Sequence, residues 1–126
     1  PLYLEDCQKS FQMAINFFSK YFPNTHYSAF TCHSWLCDNH WHNLLPKESN
    51  IRKFSECWYL FPVPNASPDA LFIQLFGKKF NSLNEIPQSS SLLKTIVAHL
   101  KTGGQLHDAG GIFFPDDLPF RQYAYL

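Results

Sequence analysis

The apolar residues of this chain change period early, and that change limits what it can fold into. From Leu4 through Cys7, Phe11, Ala14 and Phe18 to Phe22 they recur at three- and four-residue steps, the stripe of an amphipathic helix. Glu5 and Asp6 lie in the first turn, where the helix dipole favours negative charge, and Pro23-Asn24 ends the segment. This predicts a helix over Leu4–Tyr21. From Tyr27 to Leu36 the pattern becomes two-residue alternation. Ala29, Thr31, His33 and Trp35 share one face, and Phe30, Cys32, Ser34 and Leu36 share the other. The second set is nearly all apolar and is expected to face the core. His33 and Trp35 then lie on the opposite face, open either to a ligand or to a second layer of helices.

The rest of the chain is cut into short pieces by proline and glycine. Asp38 or Asn39 is expected to cap a short helix carrying Trp41, Leu44 and Leu45 that Pro46 stops. Ser49 caps a further turn or two with Ile51 and Phe54 inward. Cys57 to Val63 reads as an interior strand, aromatic on both faces. Ser67-Pro68 starts a helix whose inward face is Leu71, Phe72, Leu75 and Phe76, and Gly77 closes it. Ser90 or Ser91 caps a helix burying Leu92, Leu93, Ile96, Val97 and Leu100. Gln105 to Phe114 is a third strand, with a bulge or close backbone approach at Gly110-Gly111; Pro115 to Leu126 shows no period. The order α-β-α-α-β-α-α-β implies an α+β domain, a small mixed sheet covered by helices.

The chain has 126 residues, enough for a single domain with its own core. It opens Pro1-Leu2-Tyr3-Leu4, which reads as mid-protein sequence, a fragment or domain of a longer chain. Ten basic and ten acidic residues balance, so nucleic acid is not an expected partner, because phosphate binding needs clustered Lys and Arg. No apolar run reaches the ~18 residues of a membrane span, and no membrane association is expected. Four cysteines within apolar segments read as free thiols of a reduced, cytoplasmic protein. Aromatic residues make up 17%, with 13 Phe, which implies either an unusually aromatic core or a surface that meets another domain.

Chemistry-bearing side chains concentrate between Phe30 and Phe54. A metal set of His33, Cys37, His40 and His42 does not match a closed zinc spacing, and no metal is expected. A nucleophile built from Cys32 and His33 is geometrically poor, since adjacent strand residues point apart.

Three segments taken together, Phe30-Thr-Cys-His-Ser-Trp-Leu36, Leu44-Leu-Pro-Lys-Glu-Ser-Asn-Ile-Arg-Lys-Phe54 and His99-Leu-Lys-Thr-Gly-Gly104 with the following Gly110-Gly-Ile-Phe-Phe114, resemble the GNAT-like C-terminal domain of bacterial acyltransferase-like proteins. The resemblance implies the second half of a GCN5-related N-acetyltransferase-type fold, with acyl-CoA or acetyl-CoA as co-substrate. It also implies an upstream N-terminal acyltransferase domain as partner and a small-molecule amine as acceptor. No Q/R-x-x-G-x-G/A phosphate loop occurs in the chain, so the CoA pyrophosphate would be held by residues before Pro1, and the helical material between Cys57 and Gln105 departs from the usual hairpin ending. On this reading His33 is the candidate base for the attacking amine, and Tyr59 the acid for the leaving thiolate. Arg52 and Asn50 are candidates to hold the CoA phosphates, and Trp35 and His107 to line the acceptor site. A non-catalytic interaction domain, or a small-molecule-binding one, is the alternative.

Overall fold

The computed structural model describes residues 2–120. The first helix, α1 (Leu4–Tyr21), has the predicted bounds. It is followed by β1 (Phe30–Ser34), a 3-10 turn at Trp35–Cys37, and the short helices α2 (Trp41–Leu44) and α3 (Asn50–Ser55). Then come β2 (Tyr59–Phe61), α4 (Ala70–Phe76), α5 (Ser91–Lys101) and β3 (Ala109–Phe113), with further 3-10 turns at Leu83–Glu85 and Pro115–Asp117. The α+β class and the element order are as the sequence implies. The sheet is not mixed: its order is β1-β3-β2 and both pairings are antiparallel. After β2 the helices bring the chain back so that β3 inserts between β1 and β2, running opposite to both neighbours.

One face of the sheet carries the first core. Phe113 and Phe30 stack there at 4.9 Å, and Phe11 of α1 meets Phe30, Phe113 and Trp58 edge-on. Such pairs favour edge contact because the ring rim is positive and the face negative. Trp58 and Phe113 are almost wholly buried. The second core joins Trp35 and Trp41 to Leu71 and Phe72 of α4 and to Leu93, Ile96 and Val97 of α5. Serine caps start α3 and α5, with Ser49 and Ser90 accepting from the backbone N–H of Arg52 and Leu93, and Gly77 ends α4 in the left-handed conformation, all as expected. Neither Asp38 nor Asn39 caps α2; its N-cap is His40, because the Asp38 carboxylate is engaged elsewhere.

The stripe on α1 is only half used. Leu4, Cys7 and Phe11 pack into the sheet core, whereas Phe17, Phe18 and Phe22 are exposed. Length explains this: a helix of 18 residues spans about 27 Å, but a strand of five only about 17 Å. The last turns of α1 overrun the sheet. They flank an apolar cleft of about 330 Å³ lined by Phe18, Phe22, Tyr27 and Phe30, on the side of β1 away from His33. No described helix is long and apolar enough to cross a membrane.

Candidate functional site

The antiparallel register sorts the side chains of the second sheet face. His33 pairs with Gly110 and Gly110 with Phe61; Thr31 pairs with Ile112 and Ile112 with Tyr59. Residues paired across antiparallel strands project to the same face. His33, Phe61, Thr31, Ile112 and Tyr59 therefore share one side, and among the described residues no core cluster covers it. Tyr59 and Phe61 are 45% and 43% exposed on it. The expected base and the expected acid are thus on one open surface. Gly110 between them is what allows Phe61 to lie across the strand, since a Cβ there would stand 2.3 Å from its ring.

His33 is not alone on this face. Its Nε2 lies 2.6 Å from Asp108 Oδ2, and because an ionised carboxylate only accepts, Nε2–H donates and Nδ1 keeps its lone pair. Asp108 is fixed by a second tie: it accepts from the Ser67 backbone N–H while its own N–H donates to Ser67 O. Burial pushes the Asp108 carboxyl up, but the Ser67 N–H and the His33 ring outweigh it and hold the carboxyl below its ordinary value. An imidazole with one nitrogen on a carboxylate and the other free has the arrangement of a general base with its orienting group.

Asp108 escaped the sequence reading, although it adjoins His107. Its role depends on β3 lying against β1, and no local pattern encodes that pairing. His107 lines a cleft of about 380 Å³ with Cys37, Asn39, Leu60 and Phe61, at the end of the sheet where β1 and β2 stop and β3 begins. That is a volume suited to a small ligand.

The other candidates lie elsewhere. Trp35 leaves the strand for the 3-10 turn and is buried, packing edge-on against Trp41 and donating from Nε1 to Gln74 Oε1. Of the two expected environments for its face, Trp35 takes the helical layer rather than the open surface. Arg52 points into the α2–α3 hairpin, with Nε donating to Glu56 Oε1 at 2.7 Å and Nη1 to the Leu45 carbonyl at 3.0 Å. Its guanidinium is already committed within the fold. Asn50 is half-buried as the first residue of α3. Neither adjoins the His33–Asp108 pair in the hydrogen-bond pattern. Cys32 lies on the core side of β1, opposite His33, so no Cys–His dyad forms from these neighbours.

The family model for the GNAT-like C-terminal domain matches residues 1–113. The chain belongs to that family. This GNAT-like domain is also similar to solved acyltransferases. It is 31% identical to an acyltransferase in complex with decanoyl-CoA, with a TM-score of 0.78 over 91% of this chain and 37% of that one. An acyltransferase in complex with CoA and 10C-teicoplanin is 28% identical, with a TM-score of 0.78 over 90% of this chain and 37% of that one. The GNAT-like domain thus spans little more than a third of the solved chains that it matches. No curated protein matches it.

Proposed function

We propose that this GNAT-like domain is the acceptor-side half of a CoA-dependent N-acyltransferase that moves an acyl group from acyl-CoA to a small-molecule amine. The observation that carries this reading is the His33–Asp108 pair, 2.6 Å apart, on an open sheet face of a chain whose structural relatives hold CoA or acyl-CoA. The amine nitrogen attacks the thioester carbonyl and a C–N bond forms. His33 Nδ1 takes the proton that the nitrogen sheds, and Asp108 stabilises the imidazolium. The carbon–sulfur bond breaks, and the thiolate is protonated by Tyr59 on the same face. Phe61 and the His107 cleft bound the acceptor. The CoA phosphates rest on an upstream acyltransferase domain of the same protein, and the setting is cytoplasmic. One relative is an acyltransferase in complex with decanoyl-CoA and teicoplanin, so a second ligand beside the acyl-CoA supports an acceptor site on this domain.

Decanoyl-CoA titrated by calorimetry into this domain and into a longer polypeptide that includes its upstream residues tests the split site. Binding to the longer one alone agrees with the reading; binding to neither overturns it. In the active protein, His33→Ala is expected to lower kcat about 10²- to 10⁴-fold, the range for losing a positioned base. An unchanged pH–rate profile would remove His33 from that role.

The rival reading is a non-catalytic interaction domain. It is favoured by the exposed aromatic cluster of Phe17, Phe18, Tyr21, Phe22 and Tyr27 at the overrunning end of α1. Absence of acyl-CoA binding to either polypeptide is its expected signature.

A further inference from the structure

Beside the proposed base lies a second cluster of chemically capable side chains, which shares only His107 with the acceptor cleft. Asp38, which follows the 3-10 turn, is wholly buried. Its Oδ1 accepts from the backbone N–H of His40 at 2.9 Å and faces His40 Nδ1 at 2.6 Å. Its Oδ2 accepts from the His107 backbone N–H at 2.8 Å. The His107 ring in turn donates from Nδ1 to the Asp108 carbonyl at 2.9 Å. That bond fixes the tautomer and leaves Nε2 with its lone pair. The rings of His40 and His107 stand 5.6 Å apart, centre to centre, and His99 flanks His40 at 5.5 Å with its Nε2 on the Gln105 carbonyl at 2.9 Å.

We propose that Asp38, His40 and His107 form a binding site for a zinc-class divalent metal ion. One oxygen of Asp38 and one nitrogen of each imidazole lie within 4.8 Å of one another, close enough for small side-chain rotations to bring them around one ion. Two imidazoles and a carboxylate are a donor set that first-row divalent ions accept, three protein ligands with a position left open. A ligating histidine usually donates its other N–H to a carbonyl or carboxylate, which orients the ring and raises its basicity; His107 already has this tie, to Asp108. The approach is present as well. The His40 side chain is 34% exposed, and His107 opens on the cleft at the end of the sheet, while Asp38 forms the closed floor. Sequence spacing hides this set because His107 comes from the entry to β3 and the other two from the loop before α2.

The competing role for Asp38 is purely structural, a carboxylate that ties two loops through backbone N–H groups. Titration separates the two. Zinc, and cobalt(II) as a spectroscopic stand-in, are titrated into the full-length protein after treatment with chelator, with calorimetry and visible absorption as readouts. One ion per chain is expected, with His40→Ala and His107→Gln each weakening binding at least tenfold. His107→Gln keeps the backbone N–H that Asp38 accepts, so the fold is preserved. His42→Ala is the control, because His42 lies two residues on, within α2, but pairs with Glu56, and its affinity is expected to match the parent. No stoichiometric binding, or equal affinity in the His40 and His107 variants, would overturn the site. Either result leaves the His33–Asp108 base untouched, since neither residue is a ligand.

Discussion

The ring of Phe61 covers Gly110 so closely that a methyl group on that glycine would stand 2.3 Å from a ring carbon, whereas one on Gly111 would stand 3.0 Å from the Cβ of Trp58. The two neighbouring glycines thus face opposite sides of β3 and opposite fates on substitution. Phe61 is 43% exposed and can swing aside; Trp58 is 2% exposed and cannot.

Gly110→Ala is therefore expected to cost under about 1 kcal/mol of stability, and Gly111→Ala about 1–3 kcal/mol, the usual range for overfilling a packed core. Urea unfolding of both variants checks the order. Equal losses would mean that the Phe61 ring is held as firmly as the core. Because Gly110 also pairs with His33, its alanine variant is expected to disturb acyl transfer more than stability.

Asp108 links the proposed site to acid stability. Its carboxyl is held below the ordinary value: burial raises it, and the Ser67 N–H and His33 together lower it further. A carboxyl depressed in the folded state binds its proton less readily than in the unfolded one, so its stabilisation is present above the unfolded value of about 3.9. It is lost as pH falls through the folded value. Asp108→Asn is expected to flatten the decline of stability below about pH 4 and, by releasing His33, to lower kcat by up to about 10⁴-fold, as when the carboxylate that orients a catalytic histidine becomes an amide. Parallel urea titrations from pH 2 to 6 and pH–rate profiles test both; an acid limb as steep as the parent's would remove Asp108 from the account.

Local patterns made much of this fold legible, and the pairing of distant segments was what they left out. The full span of α1, the serine caps of α3 and α5 and the glycine that ends α4 are set by residues within a turn of one another, so spacing alone places them. The face on which His33 lies is legible because alternation on β1 assigns it before any partner is known. Asp108 and Asp38 were not found as site residues. Each gains its role from a contact between segments far apart in sequence, Asp108 with His33 and Ser67, Asp38 with His107. Trp35 failed for a related reason: the strand ends one residue before it, and the 3-10 turn rotates the indole away from the face that alternation assigns.

Arg52 separates a structural from a ligand-binding part. It is 13% exposed and Glu56 16% exposed, so truncation leaves the Glu56 carboxylate with His42 alone and takes the guanidinium from the Leu45 carbonyl. Arg52→Ala is expected to destabilise by about 1–3 kcal/mol, the cost of taking a partner from shielded polar groups, with acyl-CoA affinity unchanged. Burial raises the Glu56 carboxyl, and the Arg52 and His42 contacts bring it below its ordinary value. The pair's contribution therefore holds above about pH 4.3 and fades in more acidic solution, and the variant should show less of that fading. A variant of unchanged melting temperature with weakened acyl-CoA binding would reverse the assignment and restore Arg52 as a phosphate ligand.

The four free thiols report on packing near the site. Cys32, on the strand that carries His33, is lowered to about 7, first by the hydrogen bond from Cys37 and then, against its partial burial, by the nearby His33. Cys37, wholly buried, is raised as the donor to Cys32 and by burial. Burial pushes Cys57 up to about 12, and it also raises Cys7. Thiolate is the reactive form, so iodoacetamide at pH 7.5 is expected to alkylate Cys32 first. Cys37 and Cys57 should be modified only on unfolding. Peptide mapping by mass spectrometry gives the order, and the Cys32 rate should rise through a midpoint near pH 7. Modification of Cys57 in the native protein at a comparable rate would mean that the core around Trp58 opens without global unfolding.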